Sequence, residues 1–439
     1  MNRYHLVHRL GFLRRRPRRL RCVGKVFALA LLSLPTAADE SIRFHHYGAR
    51  DGLSGEPVYA VLQDREGYVW VGSDGGLDRF DGHRFESFRR TGSQSRHLPA
   101  DRVLSLAEDS MGRVWAGTNA GPAIYSRELK SFRLLSLPLR ADAAGTLPEA
   151  SVEALFVDRR QTLWIGTDRG LFRLPLTDEP PRGDQIRRGF DGLIAGDPEP
   201  PDPRINAFAE DADGRLWIGT RAGLLRISSL DSDPRLDHFV HDPADPQSLH
   251  DDEIYALLTD HRGALWIGAW GTGGLGRLDA DQLAARRPRF RRFVYPPGDP
   301  RGLPLDVVKS LREARDHTLW IGTQEVGQCR LTAEERLRAE PRFHCLAYDP
   351  LDPTSAPRSP VGAILQDKQG TLWFGGIGGL ARHVPATAKV ALVHPRPEPG
   401  ASARSIQING VVESRNGPVW VGTGEGLVRL AASDRPGGG

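Results

Sequence analysis

The sequence predicts an all-β fold, a β-propeller of eight four-stranded blades. One repeated phrase leads to this expectation: a Trp, an apolar residue and a Gly precede a polar stretch and then Gly-Leu, as in residues 70–80. Self-similarity at a spacing of 45 to 54 residues is typical of propeller blades. The Gly after each Trp would break the helices of a helical repeat. The copies begin at Trp70, Trp115, Trp164, Trp217, Trp266, Trp320, Trp373 and Trp420.

The first copy shows how each blade is built. Residues 58–63 are rich in β-branched and aromatic residues, which predicts the first strand. The turn at 64–67 has an Asp that can bond its own backbone and a Gly for positive φ, so 68–72 becomes the second strand of a hairpin. Residues 76–80 and 84–88 are the predicted third and fourth strands. Later fourth strands are expected at 132–135, 185–190, 236–240, 290–294, 343–348 and 389–393.

The two ends of the repeat array complement each other. The eighth copy ends at Leu430 after three predicted strands, and residues 44–47 form an unmatched strand before the first copy. Pairing this N-terminal strand with the eighth repeat would close the ring and leave no open sheet edge. We therefore expect the propeller to cover residues 39–431, followed by a disordered Pro/Gly-rich tail at 432–439.

Residues 1–38 have the composition of a secretory signal peptide. Nine Lys/Arg and no Asp/Glu occur in this segment, with an apolar run at 26–34 and small residues before Asp39. This nine-residue run is too short to cross about 30 Å of hydrocarbon, so cleavage and a periplasmic location are expected rather than a membrane anchor. The remaining chain has 50 basic against 55 acidic residues. That mild acidity argues against a nucleic-acid partner.

Cysteines are rare in this sequence. Cys22 lies in the predicted signal peptide, which leaves Cys329 and Cys345 in the exported chain. Both are expected on the last two strands of one repeat, which neighbour each other in a sheet. In an exported protein such a pair can be oxidised to a disulfide. Either a disulfide or two unpaired core thiols is therefore expected.

The motif Asp-x-x-Gly-x-x-Trp-Val-Gly-Ser-x-x-Gly-Leu, complete within residues 52–77, recurs in similar form along the chain. It resembles the propeller repeats of two-component regulators, the extracytoplasmic sensor part of hybrid histidine kinases and some diguanylate cyclases. The resemblance implies ligand sensing for signal transduction, with no enzyme activity in this chain. Kinase or cyclase activity would reside in a C-terminal module, so we expect a truncated or orphan sensor domain. Seven blades are commoner in this family, so seven blades plus an extra repeat is the alternative architecture.

The candidate binding site lies where the copies disagree. The third residue of each predicted first strand is small, as strands crowded around an axis require, but the residue before it varies between polar, charged and aromatic types. Loops entering the first strands and one inserted Trp add to this surface, which suits a small polar ligand such as an oligosaccharide. A solvated funnel is the alternative for any single residue. The candidates are Tyr59, Arg102, Glu153, Arg204, Asn206, Tyr255, Trp270, Lys309, Gln407 and Asn409.

Other functions have weaker support in the sequence. The hairpin turns resemble the Asp-box of sialidases, as at 108–115, but a turn that recurs in every blade is structural, and no locus offers the two carboxylates of a glycosidase. The histidines show no constellation typical of a propeller lyase. No metal-ligand set and no cofactor motif are recognised. The second hypothesis is a scaffold whose rim binds another protein, for example a membrane-bound signalling partner.

Overall fold

The computed structural model describes residues 42–430, with gaps at 91–97, 99, 140–148, 191–201, 203, 229–233, 272–273, 297–298, 300, 304–306, 384–407, 414–418 and 424–425. The predicted signal peptide, the C-terminal tail and Gln407 lie outside these residues. The secondary structure of the described part consists of β-strands and four short 3-10 turns, at Ala49–Asp51, Gly183–Gln185, Ala280–Gln282 and Glu335–Leu337. The all-β propeller prediction is confirmed.

Seven antiparallel sheets have four strands each, and an eighth has three. Each of the first six blades consists of four consecutive strands, from β2 to β5 in the first blade to β22 to β25 in the sixth. The seventh blade consists of β26, β27 and β28, and the N-terminal strand β1 completes it beside β28. The strands are β1 (His45–Tyr47), β2 (Val58–Gln63), β3 (Val69–Ser73), β4 (Gly76–Phe80), β5 (Phe85–Phe88), β6 (Val103–Glu108), β7 (Val114–Thr118), β8 (Gly121–Ser126), β9 (Ser131–Leu134), β10 (Val152–Val157), β11 (Thr162–Thr167), β12 (Gly170–Pro175), β13 (Arg187–Arg188), β14 (Ile205–Glu210), β15 (Leu216–Thr220), β16 (Gly223–Ile227), β17 (Leu236–Phe239), β18 (Ile254–Thr259), β19 (Leu265–Ala269), β20 (Leu275–Leu278), β21 (Phe290–Arg292), β22 (Val308–Glu313), β23 (Leu319–Thr323), β24 (Gln328–Leu331), β25 (His344–Leu346), β26 (Val361–Gln366), β27 (Leu372–Gly376), β28 (Gly379–His383), β29 (Ile408–Glu413), β30 (Val419–Thr423) and β31 (Gly426–Leu430).

The first strands of the seven blades surround a common axis. Each lies beside the first strands of the two neighbouring blades, and β26 of the seventh blade lies beside β2 of the first. The Gly of the repeated phrase permits this approach. A Cβ on Gly72 would lie 2.8 Å from Val103 Cγ1 of the next blade, and one on Gly375 would lie 2.4 Å from Val58 Cγ1. The same contact therefore joins the seventh blade to the first.

In each of the seven blades, the Trp of the phrase packs against the following blade. Trp70 is 1% exposed, and its ring lies 5.1 Å from that of Tyr125 in the second blade. Its indole N–H donates to Asp64 Oδ2 at 2.8 Å, while Asp64 Oδ1 accepts the Tyr68 N–H. The hairpin Asp therefore builds the turn and anchors the Trp. Equivalent indole–carboxylate bonds of 2.7 to 3.0 Å recur at Trp115, Trp164, Trp217, Trp266 and Trp373.

The ring closes through the N-terminal strand, but at the seventh repeat. Tyr47 pairs with Leu380 of β28, and its ring stacks 6.0 Å from that of Trp373. The prediction of eight blades in the ring is therefore wrong, and seven blades plus an extra repeat is correct. The contact between Gly375 and Val58 leaves no place for another blade between the seventh and the first. The expected strand at 389–393 lies outside the described residues, and β1 holds the fourth position of that sheet.

The eighth repeat forms a sheet of its own from β29, β30 and β31. Within the described part of the chain, these strands pair only with one another.

In the sixth blade a disulfide joins Cys329 to Cys345, which are partners in the register of β24 and β25. A search of the described residues for helices long and apolar enough to cross a membrane finds none.

Candidate functional site

The predicted first-strand residues lie at one end of the axis, which we call the funnel mouth. Tyr59, Glu153, Asn206, Tyr255 and Lys309 are each the second residue of a first strand. The pairing register with the second strand shifts at this residue in all five blades. A bulged residue is released from the ladder and can aim its side chain elsewhere. This explains why the position varies while the small residue after it does not.

An aromatic and cationic group occupies one side of the funnel mouth. The rings of Tyr255 and Trp270 lie 6.3 Å apart. Lys309 Nζ stands 3.4 Å from the centre of the Tyr255 ring and 6.0 Å from that of Trp270. The Tyr255 hydroxyl donates to Glu253 Oε1 at 2.7 Å. Burial, followed by this bond to Glu253, raises the pKa of Tyr255 to about 12, so the phenol remains a hydrogen-bond donor at neutral pH.

A carboxyl group surrounded by arginines, that of Glu153, lies two blades away in the third blade. Burial raises the pKa of Glu153, and the charge of Asp168 raises it further. Arg204, Arg221 and Arg102 act in the opposite direction, in that order. The carboxyl oxygens of Glu153 and the guanidinium groups around it place hydrogen-bond acceptors and donors next to one another. This side of the funnel mouth therefore suits a ligand that carries both hydroxyl and anionic groups.

Arg102 and Tyr59 also lie at the funnel mouth, whereas the side chain of Asn206 is bonded to the backbone of a neighbouring blade. Arg102 forms an ion pair with Asp74, and its guanidinium lies 5.9 Å from the centre of the Tyr59 ring. Burial and the charge of Asp74 raise the pKa of Tyr59. Asn206 Nδ2 instead donates to the Ile254 carbonyl oxygen at 2.8 Å, so its amide joins two blades.

The eighth repeat does not contribute to the ring. Asn409 is the second residue of β29, in the separate three-stranded sheet. Gln407 lies outside the described residues. At the equivalent position in the seventh blade stands Gly362, where an added Cβ would have no neighbour within 4 Å. This blade therefore contributes open space to the funnel mouth instead of a side chain.

Several charged residues of the funnel mouth were missed by the sequence prediction. Asp74, Asp168 and Arg221 follow the second strands of their blades, and Glu253 precedes β18. Arg221 Nε lies 3.2 Å from Glu253 Oε1. Because a second strand returns to the end of the axis where the first strand began, the residue after it reaches the same surface. The polar residue after each repeated Gly-Ser or Gly-Thr was the signal that could have identified them.

At the opposite end of the axis the structure joins three residues that the sequence prediction did not recognise as a set. His261, Glu313 and His317 come from the hairpins of the fifth and sixth blades. Their potential metal-ligand atoms all lie within 4.8 Å of one another. No metal-ligand set was expected from the sequence; these three residues belong to two different repeats, so no motif within a single repeat indicates them.

Known proteins share both the repeats and the fold. Segments 52–75, 97–120, 199–222, 248–271 and 355–378 match the family described as two component regulator propeller. A stretch of 73 residues is 34% identical to Histidine kinase P4 of Formosa agariphila, which covers 17% of this chain and 5% of that protein. The extracellular domain assigned to hybrid two component system BT3049 of B. thetaiotaomicron has a TM-score of 0.62 at 22% identity, over 89% of this chain.

A streptogramin B lyase has the same general fold, with a TM-score of 0.53, 14% identity and coverage of 78% of this chain and 98% of its own. At such identities the structural likeness shows the fold alone. The chain spans 49% of the length of the B. thetaiotaomicron domain. The five matching segments show that this chain carries repeats of the two component regulator propeller family.

Proposed function

We propose that this chain is an exported ligand-binding propeller of a two-component-type receptor and that its ligand binds at the funnel mouth. The observation that carries the proposal is the convergence of bulged first-strand residues from successive blades. Tyr59, Glu153, Tyr255 and Lys309 all occupy this position, and they include aromatic, acidic and basic side chains. A position that served packing alone would be uniform, as the small residue after it is.

The chemistry of the funnel mouth favours a small polar ligand such as an oligosaccharide. The rings of Tyr255 and Trp270 provide flat apolar surfaces, and Trp270 is 45% exposed. Such rings can cover the apolar face of a sugar, while a few placed polar groups fix its orientation. Glu153 and the arginines around it provide those groups. An acidic sugar would satisfy the guanidinium groups best.

The proposal divides the work of signalling between this chain and another module. The propeller binds the ligand outside the cytoplasm, after export by the signal peptide expected at residues 1–38. A membrane-bound partner or a further module carries the kinase or cyclase activity. The 73-residue stretch that is 34% identical to Histidine kinase P4 supports this division. In this proposal no residue of the propeller is catalytic.

Calorimetric titration of the purified chain with a panel of neutral and acidic oligosaccharides tests the site. Trp270→Ala and Glu153→Gln should each weaken binding of the best ligand at least tenfold. Tyr348→Ala is a matched control, because Tyr348 is an aromatic residue of similar exposure, 47%, that follows the outer strand β25. Unchanged affinity in both funnel variants would contradict the site.

A protein partner is the second candidate, and one observation favours it. Exposed apolar residues follow the fourth strands of three consecutive blades: Val240 after β17, Val294 after β21 and Tyr348 after β25. Fourth strands end at the same face as the funnel mouth, so this rim could receive a protein. Loss of partner binding in Tyr348→Ala, with retention in Trp270→Ala, would favour the rim over the funnel.

A further inference from the structure

The hairpin of the sixth blade departs from the repeat pattern. Ala314 stands where the other six blades have the Asp that anchors the Trp. His317 stands at the turn position that is Gly in five of the seven blades, and it has a φ of 61°. A non-Gly residue in this left-handed region is uncommon and often marks a functional site; Gln161 of the third blade is the other non-Gly residue at this turn position, with a φ of 62°. Both departures lie beside the same carboxylate, that of Glu313.

The hairpin of the fifth blade supplies a second imidazole at this point. The rings of His261 and His317 stack with centroids 3.7 Å apart and an angle of 24° between their planes. His261 Nδ1 lies 2.5 Å from Glu313 Oε1, and His317 Nδ1 lies 3.7 Å from the same oxygen. The two Nδ1 atoms therefore face one carboxylate oxygen from neighbouring blades.

We propose that His261, Glu313 and His317 bind a divalent transition-metal ion, Zn²⁺ in the first instance. Two imidazole nitrogens and one carboxylate oxygen are ligands that Zn²⁺ prefers. Zn–ligand bonds of about 2.0–2.2 Å in a tetrahedral arrangement separate the ligand atoms by roughly 3.3 Å. The 2.5 Å and 3.7 Å distances to Glu313 Oε1 lie on either side of this value. Small rotations of two half-exposed imidazoles would reach it, with the metal replacing the proton between His261 and Glu313.

The carboxylate is held in place by groups behind it. Glu313 Oε2 accepts the backbone N–H of His261 at 2.8 Å. Arg336, whose side chain is only 5% exposed, donates to Glu313 Oε1 and to Asp260 Oδ2, each at 2.5 Å. Asp260 therefore balances the arginine charge, and the negative charge of Glu313 remains for a cation. Outer groups that orient a ligand in this way are typical of metal sites.

The site has an open side for a fourth ligand. His261 and His317 separate two cavities, one of about 420 Å³ beside Arg336 and one of about 520 Å³ that Arg312 and Lys368 also line. The imidazole side chains are 36% and 49% exposed, so water or a ligand atom can reach the metal. The three residues hold the ion between two blades, and this inference is independent of the funnel-mouth proposal.

Zinc titration against a chromophoric chelator, using the metal-free full chain, tests the assignment. The wild-type chain should bind one Zn²⁺ more than the variants His261→Gln and His317→Gly. His317→Gly is the sharper variant, because Gly is the residue that most blades have at this turn and the change should not impair folding. Each variant should weaken the site by more than about 100-fold, since changing even an outer partner costs about 10–100-fold.

His83→Gln is the matched control, because His83 is an exposed hairpin histidine of the first blade. It should retain the wild-type affinity and stoichiometry. Co²⁺ in place of Zn²⁺ should give the visible absorption of a tetrahedral site in the wild type and in His83→Gln, but not in His317→Gly. Absence of stoichiometric binding by the wild type, or equal affinity in His317→Gly, would overturn the proposal.

Discussion

Removal of the Phe44 side chain should destabilise the closed ring, because this residue anchors the closing strand. Phe44 is 4% exposed, and its ring meets that of Phe374 edge-on at 5.5 Å. Its N–H donates to the Thr354 carbonyl oxygen at 2.9 Å. A buried Phe→Ala change costs about 3–5 kcal/mol. We expect Phe44→Ala to lower the free energy of unfolding by that amount, since no other strand completes the seventh blade.

Urea unfolding followed by tryptophan fluorescence measures the effect. The midpoint should fall while the slope with urea stays unchanged. Leu351→Ala is the control: Leu351 is 91% exposed, and its loss should change stability by less than about 0.5 kcal/mol. A chain ending at His383 should unfold at the wild-type midpoint, because β28 keeps its partner β1. A loss below about 1 kcal/mol in Phe44→Ala, or an equally large loss on truncation, would refute seven-blade closure.

Three further predictions concern the disulfide, a buried ion pair and a phenol. Replacing Cys329 and Cys345, 16 residues apart, with Ala should cost roughly 3 kcal/mol in urea unfolding through lost loop entropy; an unchanged midpoint would contradict it. Arg336→Met should cost about 3–5 kcal/mol, because it leaves two carboxylates without their cation. Arg338→Met should cost less than about 1 kcal/mol, because the Arg338 side chain is 63% exposed in its pair with Glu335. Ultraviolet titration against Tyr255→Phe should show no ionisation of Tyr255 near pH 10, where an unperturbed tyrosine titrates. Its folded pKa of about 12 exceeds the unfolded value, so its contribution to stability is complete below pH 10 and is lost between pH 10 and 12.

Much of the blade could be predicted because each blade repeats the same local solutions. Three residues have the same role in successive blades. The Trp is buried against the next blade, the Gly two residues later permits close approach of the strands, and the hairpin Asp forms the turn. The blade count could not be predicted in this way. The phrase at Trp420 is as complete as that at Trp373, so local pattern does not decide which repeat receives the N-terminal strand. That choice depends on long-range packing, such as the contact of Gly375 with Val58.

The same distinction between local pattern and long-range packing applies to the candidate sites. Tyr255 and Lys309 were found because their position varies between repeats that otherwise agree. Asp74 and Arg221 were missed because only the strand directions bring the ends of second strands to the starts of first strands. His261 and Glu313 are 52 residues apart, and each is unremarkable within its own repeat. Only the alignment of hairpins from adjacent blades makes them neighbours.

The sixth blade carries a candidate site at each end of one strand, which raises the question of coupling. Lys309 near the start of β22 faces the funnel mouth, and Glu313 at its end belongs to the proposed metal site with His261 and His317. Coupling requires an element with two arrangements that both ligands bias. β22 pairs with β23 from Val308 to Glu313 and lies between β18 and β26, so it has little freedom to shift. We therefore expect His317→Gly to change the affinity for a funnel ligand by less than about fivefold, the lower end of allosteric coupling. A larger change in calorimetric titration would show that the sixth blade moves as a switch.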